Sequence, residues 1–223
     1  MALGYSLDIA VTGPRPSKRQ LQYSRLWNLV NNMNQNTFLI VGLGNPGKTY
    51  AWSRHNIGFL LVDHLQKEFG FSNWSKKEKL QGEISEGIMF DKKIILLKPQ
   101  TFMNNSGQSV KKTISFYQIP LKNFFVINDD LDLVFSSLKI AQDKGSAGHK
   151  GVESIIQNLK TKDFLRLRIG IKPKRKVSNP EKFVLDKFNL IEKRKIEKIK
   201  EEFLSIIETI LRDGIQKAMN DFN

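Results

Sequence analysis

The sequence predicts one α/β domain over residues 37–223, in which a mixed twisted sheet is flanked by helices and followed by a long C-terminal helix. Strand-like runs alternate along the chain with segments whose apolar residues recur at helical spacing, and this interleaving is typical of α/β layers. The length of 223 residues, with 40% hydrophobic and 26% charged residues, suits one well-packed domain, and two would be cramped.

The predicted strands are short apolar or alternating runs bounded by glycine, proline or polar residues. They cover residues 38–41, 82–90, 93–97, 124–127, 137–142 and 164–171. Gly42 ends the first strand and Pro99 ends the third. Arg166 and Arg168 fall on one face of the last strand, because alternate residues of a strand share a face.

The predicted helices have apolar residues three or four positions apart. One begins near Ile57 and is closed by Gly70, a second spans residues 104–117, and a third is opened by the loop 144–151. His64 lies within the stripe of the first helix, where a structural role is expected. The long C-terminal helix has its apolar stripe at Ile196, Ile199, Phe203, Ile206 and Ile210. This stripe indicates a packing surface, because too few heptads are regular for a coiled coil.

Residues 1–36 differ from the rest of the chain in composition. They contain one acidic residue, Asp8, several basic residues and the largely polar run 31–36, without an apolar core for a secretory signal. We expect a disordered extension or a start site assigned too far upstream. A cytoplasmic location is therefore expected, and a plastid transit peptide is the alternative, since such segments are basic and poor in acidic residues.

The composition limits the classes of function. The chain has no cysteine, which excludes disulfide scaffolds, thiolate metal sites and cysteine nucleophiles. No apolar run approaches the roughly 18 residues of a membrane span. Lys and Arg number 36 against 22 Asp and Glu, which gives a net charge of +14. This excess favours a polyanionic partner, although a coding bias towards Lys, Asn and Ile produces the same excess.

The loop GLGNPG at residues 42–47 has the Gly-x-Gly-x-x-Gly spacing of a dinucleotide cradle. A cradle needs a helix at the second glycine, with free N–H groups that face the pyrophosphate. Here Pro46 removes one N–H, residues 48–56 lack an apolar stripe, and no later strand ends in an acidic ribose ligand. We interpret the loop as a rigid turn that presents side chains, and nucleotide binding is the third hypothesis.

Polar side chains follow several predicted strands and are expected to meet at one edge of the sheet. They are Asn45, His55, Asn104 and Asp129. A histidine can take a proton from water when a carboxylate fixes its tautomer, and asparagine amides can polarise a carbonyl group. The sequence has neither a Gly-x-Ser-x-Gly elbow nor a His-Glu-x-x-His motif. It therefore predicts water as the nucleophile and a site without metal or cofactor.

Motifs at and around these residues resemble, in order, those of bacterial peptidyl-tRNA hydrolases over about residues 38–215. They are FLIVGLGNPG at 38–47, Tyr50, RHN at 54–56, KPQTFMNNSG at 98–107, DDLDL at 129–133, RLRIGI at 166–171 and FVL at 183–185. The resemblance implies hydrolysis of the ester that joins a peptide to the ribose of tRNA. We expect peptidyl-tRNA as the partner, no membrane, and a monomer.

The resemblance also implies roles for the matching residues. His55 is the general base for water, and Asp129 keeps it basic and oriented. Asn45 contacts the acyl end and helps to distinguish blocked from free aminoacyl-tRNA, since a free ammonium would be costly to desolvate there. Arg168 grips the terminal phosphate of the tRNA. The residues that line the site for the 3′ end and the peptide are Tyr50, Phe102 and Asn104.

The chain departs from the family pattern near the expected substrate. The family's Gly-His-Asn-Gly becomes residues 148–151, so that His149 is retained and Lys150 replaces a substrate-contacting asparagine. A lysine can reach a phosphate or hydroxyl group but cannot accept a hydrogen bond. Asn128 stands where a histidine is usual. We still expect His149 and Lys150 to contact the substrate.

A further departure affects the phosphate clamp. Ala141 occupies its second position, so Lys139 or Lys144 would have to supply the cation. The basic run 172–176 adds nonspecific attraction for tRNA. The runner-up function is a non-catalytic RNA-binding protein on the same scaffold, similar to plant organellar intron-splicing factors. Lys150 and the unmatched N-terminal residues favour it, and the joint retention of His55, Asp129, Asn45 and Asn104 counts against it.

Overall fold

The computed structural model describes residues 36–174 and 176–223. Apart from Asn36, the predicted N-terminal extension lies outside the described residues. The strands are β1 (Thr37–Gly42), β2 (Ser75–Lys77), β3 (Gly82–Met89), β4 (Lys92–Pro99), β5 (Phe124–Val134), β6 (Leu138–Ala141) and β7 (Leu165–Lys172). The α-helices are α1 (Ile57–Glu68), α2 (Ser106–Tyr117), α3 (Lys150–Leu159), α4 (Pro180–Leu185), α5 (Leu190–Asp213) and α6 (Ile215–Phe222).

The strands of the described residues form one mixed sheet in the order β2-β3-β4-β1-β5-β7-β6. β1 pairs in parallel with β4 and β5, and β5 pairs in parallel with β7. β2 and β3 at one side and β6 at the other are antiparallel to their neighbours. The carboxyl ends of β4, β1, β5 and β7 therefore share one edge, where ligands gather in open α/β sheets. This architecture confirms the predicted fold class.

The sheet separates two hydrophobic layers, because alternate residues of a strand face opposite sides. On β1, Ile40 packs into the cluster that contains the apolar side chains of α1 and α5. Its neighbours Leu39 and Val41 pack into the other cluster, with α2 and α3. Helices therefore cover both faces of the sheet. None of the helices in the described residues is long and apolar enough to cross a membrane.

The long C-terminal helix is α5, and its limits follow from its sequence. Asn189 caps its first turn, and Glu192 completes a reciprocal capping box with Asn189. The helix ends at Gly214, which has φ 94°. The predicted stripe is buried against the sheet, which confirms it as a packing surface: Ile196, Ile199, Phe203, Ile206 and Ile210.

Other elements differ from the sequence prediction. β5 does not end at Ile127 but continues through the acidic residues to Val134, because Asn128, Asp129 and Asp130 pair with residues of β7. Pairing with a neighbouring strand here outweighs the low strand propensity of Asn and Asp. β2 was not predicted, because its three residues, Ser-Lys-Lys, are polar and give no hydrophobic pattern. All three are exposed in the structure. The short helices α4 and α6 were also not predicted.

Two glycines set the distance between the loop after β1 and the start of α1. A methyl group on Gly58 would lie 2.6 Å from the carbonyl oxygens of Leu43 and Ile127, and one on Gly42 would meet the carbonyl group of Gly58. The backbone of α1 therefore packs directly on the loop. Gly42 serves packing, and this close approach places His55, which lies just before α1, beside Asp129 of β5.

We predict that Gly58→Ala destabilises the protein by about 1–3 kcal/mol or more, because backbone atoms must move to accept the methyl group. Gly145→Ala is the matched control, since no atom lies within 4 Å of the added carbon and φ at Gly145 is not positive. Urea unfolding of both variants measures the difference. Equal stability of the two variants would show that the contact is not restrictive.

Candidate active site

His55 and Asp129 meet at the carboxyl edge of the sheet. His55 lies in the 3-10 helix Arg54–Asn56 that leads into α1, and Asp129 lies in β5. Nδ1 of His55 is 2.8 Å from Oδ1 of Asp129. Both side chains are buried, with 9% of His55 and 3% of Asp129 exposed. The sequence prediction that these residues converge is therefore met by direct hydrogen bonding.

A second histidine binds the same carboxylate oxygen. Nε2 of His149 is 3.0 Å from Oδ1 of Asp129, and the two imidazole rings lie 4.8 Å apart. His149 is the N-cap of α3, where its Nδ1 accepts hydrogen bonds from the backbone N–H groups of Gly151 and Val152. Because Nδ1 is an acceptor, the proton of this ring lies on Nε2 and is donated to Asp129.

These contacts decide the ionisation of Asp129. Burial by itself would raise the pKa of this carboxyl group. The positive charge of the His55 and His149 rings when they are protonated, and their hydrogen bonds to the carboxylate, outweigh burial and hold the pKa of Asp129 well below its usual range. Asp129 is therefore a carboxylate at neutral pH. Nδ1 of His55 carries a proton and donates it in the hydrogen bond to this carboxylate. With Nδ1 as the donor to Asp129, Nε2 is the ring nitrogen of the neutral imidazole that can accept a proton from water.

The same residues form a cluster of possible metal ligands, since their ligand atoms lie within 4.8 Å of one another. A metal on Nε2 of His149 would move the ring proton to Nδ1. That proton would face the N–H donors of Gly151 and Val152, whereas a metal-bound histidine donates its other N–H to an acceptor. The three side chains are therefore arranged for hydrogen bonds from the two imidazoles to the carboxylate, and this arrangement does not fit a metal ion.

Asn45 is fixed by hydrogen bonds on three atoms. Its backbone N–H donates to Oδ1 of Asn56 at 2.9 Å, and its carbonyl oxygen accepts from Nδ2 of Asn56 at 2.9 Å. Its side-chain Oδ1 accepts from the backbone N–H of Met103 at 2.8 Å. The amide orientation is thereby set, and Nδ2 of Asn45 remains as the hydrogen-bond donor for a ligand.

Two of the three predicted lining residues, Phe102 and Asn104, lie next to a residue that binds Asn45. Asn104 and the 59%-exposed Phe102 flank Met103, whose N–H binds Asn45, and both are exposed. Tyr50 is half-buried in the 3-10 helix Lys48–Tyr50, and its carbonyl oxygen accepts from Oγ of Ser53. Exposed side chains beside a fixed amide are available to a substrate. Their contacts with substrate stay predictions.

His149 and Lys150, the two predicted substrate contacts of the Gly-His-Lys-Gly segment, differ in burial and in their partners. Both ring nitrogens of His149 are engaged inside the protein, so its geometry supports a role in holding Asp129 more directly than a role in binding substrate. Lys150 is exposed, and its Nζ lies 2.7 Å from Oε1 of Glu181 on α4. The pairing of Lys150 with a carboxylate could not be read from the sequence.

Lys139 of β6 and Arg166 and Arg168 of β7 line one cavity of about 750 Å³. Arg168 lies opposite Lys139 in the antiparallel register, while Ala141 lies opposite Arg166. Nε of Arg168 is 2.6 Å from Oδ2 of Asp130. The two arginines share one face, as predicted. Of the lysines considered as replacements at the clamp, Lys139 is the direct neighbour of Arg168, and Lys144 lies in the following loop that also lines the cavity.

The sequence did not predict a role for Arg54 and Asn56, the two neighbours of His55 that hold it in place. Asn56 ties this part of the chain to the glycine loop, as described above. The guanidinium of Arg54 lies 4.2 Å from the centre of the Phe183 ring, and its Nη2 binds both carboxylate oxygens of Glu192 at 2.9 Å. The only indication of such a role in the sequence is that the two residues lie directly before and after His55.

The fold and the histidine–aspartate pair define the class of this protein, an α/β enzyme with a histidine placed to act as a general base. The family model described as peptidyl-tRNA hydrolase matches residues 39–223. This chain belongs to the peptidyl-tRNA hydrolase family.

Relatives and solved structures agree with this assignment. A peptidyl-tRNA hydrolase of Clostridium tetani is 43% identical over 187 residues, which cover 83% of this chain and 97% of that protein. One of Synechococcus elongatus is 43% identical over 192 residues, which cover 83% and 91%. The crystal structure of peptidyl-tRNA hydrolase from Acinetobacter baumannii aligns with a TM-score of 0.78 at 33% identity, and the alignment covers 85% of this chain and 95% of that one.

We predict that Asn56→Ala destabilises the protein by about 1–3 kcal/mol, because it leaves the buried N–H and carbonyl groups of Asn45 without their partner. Asn105→Ala is the control, since Asn105 is exposed and its side chain does not cap α2. Thermal or urea unfolding compares the two variants. A loss of stability no larger than that of the control would contradict the importance of the Asn56 contacts.

Proposed function

We propose that this protein hydrolyses the ester bond between peptide and tRNA in peptidyl-tRNA, with His55 as the general base. The observation that carries the proposal is the 2.8 Å contact between Nδ1 of His55 and the buried carboxylate of Asp129. This contact leaves Nε2 of His55 as the proton acceptor. Membership of the family supports the choice of substrate.

The proposed reaction proceeds in two steps. Nε2 of His55 takes a proton from water while the water oxygen attacks the carbonyl carbon of the ester. The carbon–oxygen bond to the ribose then breaks, and the imidazolium of His55 returns the proton to the leaving ribose oxygen. Asp129 stabilises the imidazolium between the two steps. The products are the free carboxyl group of the peptide and the free hydroxyl group of the tRNA.

Asn45 is proposed to recognise the acyl group as a donor. Because Oδ1 of Asn45 is occupied by the N–H of Met103, only Nδ2 is presented to a ligand. A carbonyl oxygen of a peptidyl group accepts this hydrogen bond. The ammonium of a free aminoacyl group cannot accept it and also loses hydration in the site, so free aminoacyl-tRNA is disfavoured.

The tRNA is proposed to bind through charge and shape. Arg168 and its cross-strand neighbour Lys139 form a pair of cations that can hold the terminal phosphate in place of a clamp that uses position 141. Phosphate contacts fix the position of a nucleic acid without reading its sequence. Such contacts suit an enzyme that serves every tRNA.

The non-catalytic RNA-binding function is not favoured. A protein that only binds RNA has no need for a buried carboxylate that accepts hydrogen bonds from two imidazoles, and such a buried charge is costly without a use. The proposed monomeric state and cytoplasmic location are compatible with this function and remain predictions. The assignment of residues 37–223 as the functional domain is also a prediction.

We predict that the purified protein releases peptide from N-blocked aminoacyl-tRNA and that His55→Ala lowers the rate by about 10²–10⁴-fold, because the general base is lost. Binding of tRNA to the variant should persist. His64→Ala is the matched control, since it removes a half-buried imidazole from α1 away from Asp129. Wild-type protein that binds tRNA without releasing peptide would instead support the RNA-binding function.

We predict that Lys139→Ala weakens tRNA binding and reduces the slope of log K against log salt by about 0.7–0.9, which corresponds to one lost phosphate contact. Lys67→Ala is the control, because Lys67 is exposed in the last turn of α1, at the end opposite His55. Filter binding over a salt series gives both quantities. If Lys144→Ala changes the slope and Lys139→Ala does not, the cation comes from the loop.

A further inference from the structure

A closed ring of contacts passes through His55, Asp129 and His149. Asp129 joins His55 to His149, and His149 is followed by Lys150 at the start of α3. Lys150 binds Glu181 on α4 at 2.7 Å. The same helix returns to His55 through Phe183, whose ring contacts the guanidinium of Arg54. The ion pair between Lys150 and Glu181 is the exposed link of this ring.

The exposed link is easily exchanged. The side chains of Lys150 and Glu181 are 64% and 77% exposed, and ion pairs of this kind are weak and screened by salt. Lys150 is also the first residue of α3, where the helix dipole disfavours a cation unless an anion lies nearby. The hydrogen bond from Lys150 lowers the pKa of Glu181, which is charged at neutral pH. Glu181 therefore supplies a negative charge that an incoming phosphate group can replace.

We propose that Glu181 determines substrate affinity by occupying Lys150 in the free enzyme and releasing it to a phosphate group of the tRNA when substrate enters. Binding then exchanges one anion for another on the same ammonium, next to the histidine that holds Asp129. This inference rests on the proposed function only in taking tRNA as the polyanion. It assigns a role to the lysine that replaces the family's asparagine and to its partner on α4.

The test is a double-mutant cycle with Glu181→Gln, Lys150→Asn and the double variant. Binding of deacylated tRNA is measured over a salt series, and hydrolysis of N-blocked aminoacyl-tRNA is measured in parallel. Glu181→Gln should lower Kd and KM about two- to five-fold, because no ion pair with Lys150 has to be broken before the phosphate group binds. In the Lys150→Asn background the same substitution should have no effect beyond that of a control. The matched control is Asp186→Asn, which removes an exposed acidic charge from the other end of α4.

The cycle distinguishes exchange from general repulsion. If Glu181→Gln improves binding by the same factor with and without Lys150, the pair is not coupled and the proposal is overturned. An unchanged Kd in Glu181→Gln overturns it as well. Coupling in the binding series without peptide release by the wild-type protein would support the exchange while contradicting the hydrolase function.

Discussion

The site depends on one buried carboxylate oxygen that two imidazoles share. A charge on Asp129 is tolerated in the interior because His55 and His149 both donate to Oδ1. These histidines come from the beginnings of two different helices, on opposite sides of β5. The carboxylate therefore joins the start of α1 to the start of α3, and the tautomers of both rings follow from that contact.

The glycine loop after β1 belongs to the same construction. Its spacing resembles a nucleotide cradle, yet Gly42 is needed because α1 approaches the backbone too closely for a side chain. The amide of Asn56 then binds the backbone of Asn45 at two points, and Met103 fixes the Asn45 side chain. The loop therefore holds the amide of Asn45 next to Asn56, the residue that follows His55. Gly42 serves backbone packing, and Gly44 leaves room for the Phe59 ring. Asn45 is the residue of the loop that we propose contacts the substrate.

Sequence patterns predicted the parts of the structure that follow from hydrophobic periodicity and strand ends. The α/β class, the long helix and the meeting of His55 with Asp129 could be derived because apolar spacing and parallel strands constrain them. The continuation of β5 could not, since it depends on hydrogen bonds to β7 that outweigh local propensity. The tautomer of His149 depends on two N–H groups at a helix start, which no sequence pattern specifies.

The positions where this chain departs from the family separate two kinds of requirement. The groups proposed to act on the ester are held by short hydrogen bonds between buried atoms, where a displacement of one ångström would break the contact. The groups proposed to hold the tRNA act through charge, which decreases slowly with distance and tolerates several positions for a cation. Replacement of a clamp cation by Ala141 is compatible with a neighbouring Lys139 for that reason. Lys150 adds an exposed cation that Glu181 offsets in the free protein, and in the proposed exchange a phosphate group of the tRNA takes the place of Glu181. Variation at the charged rim can therefore accompany strict retention of the buried pair.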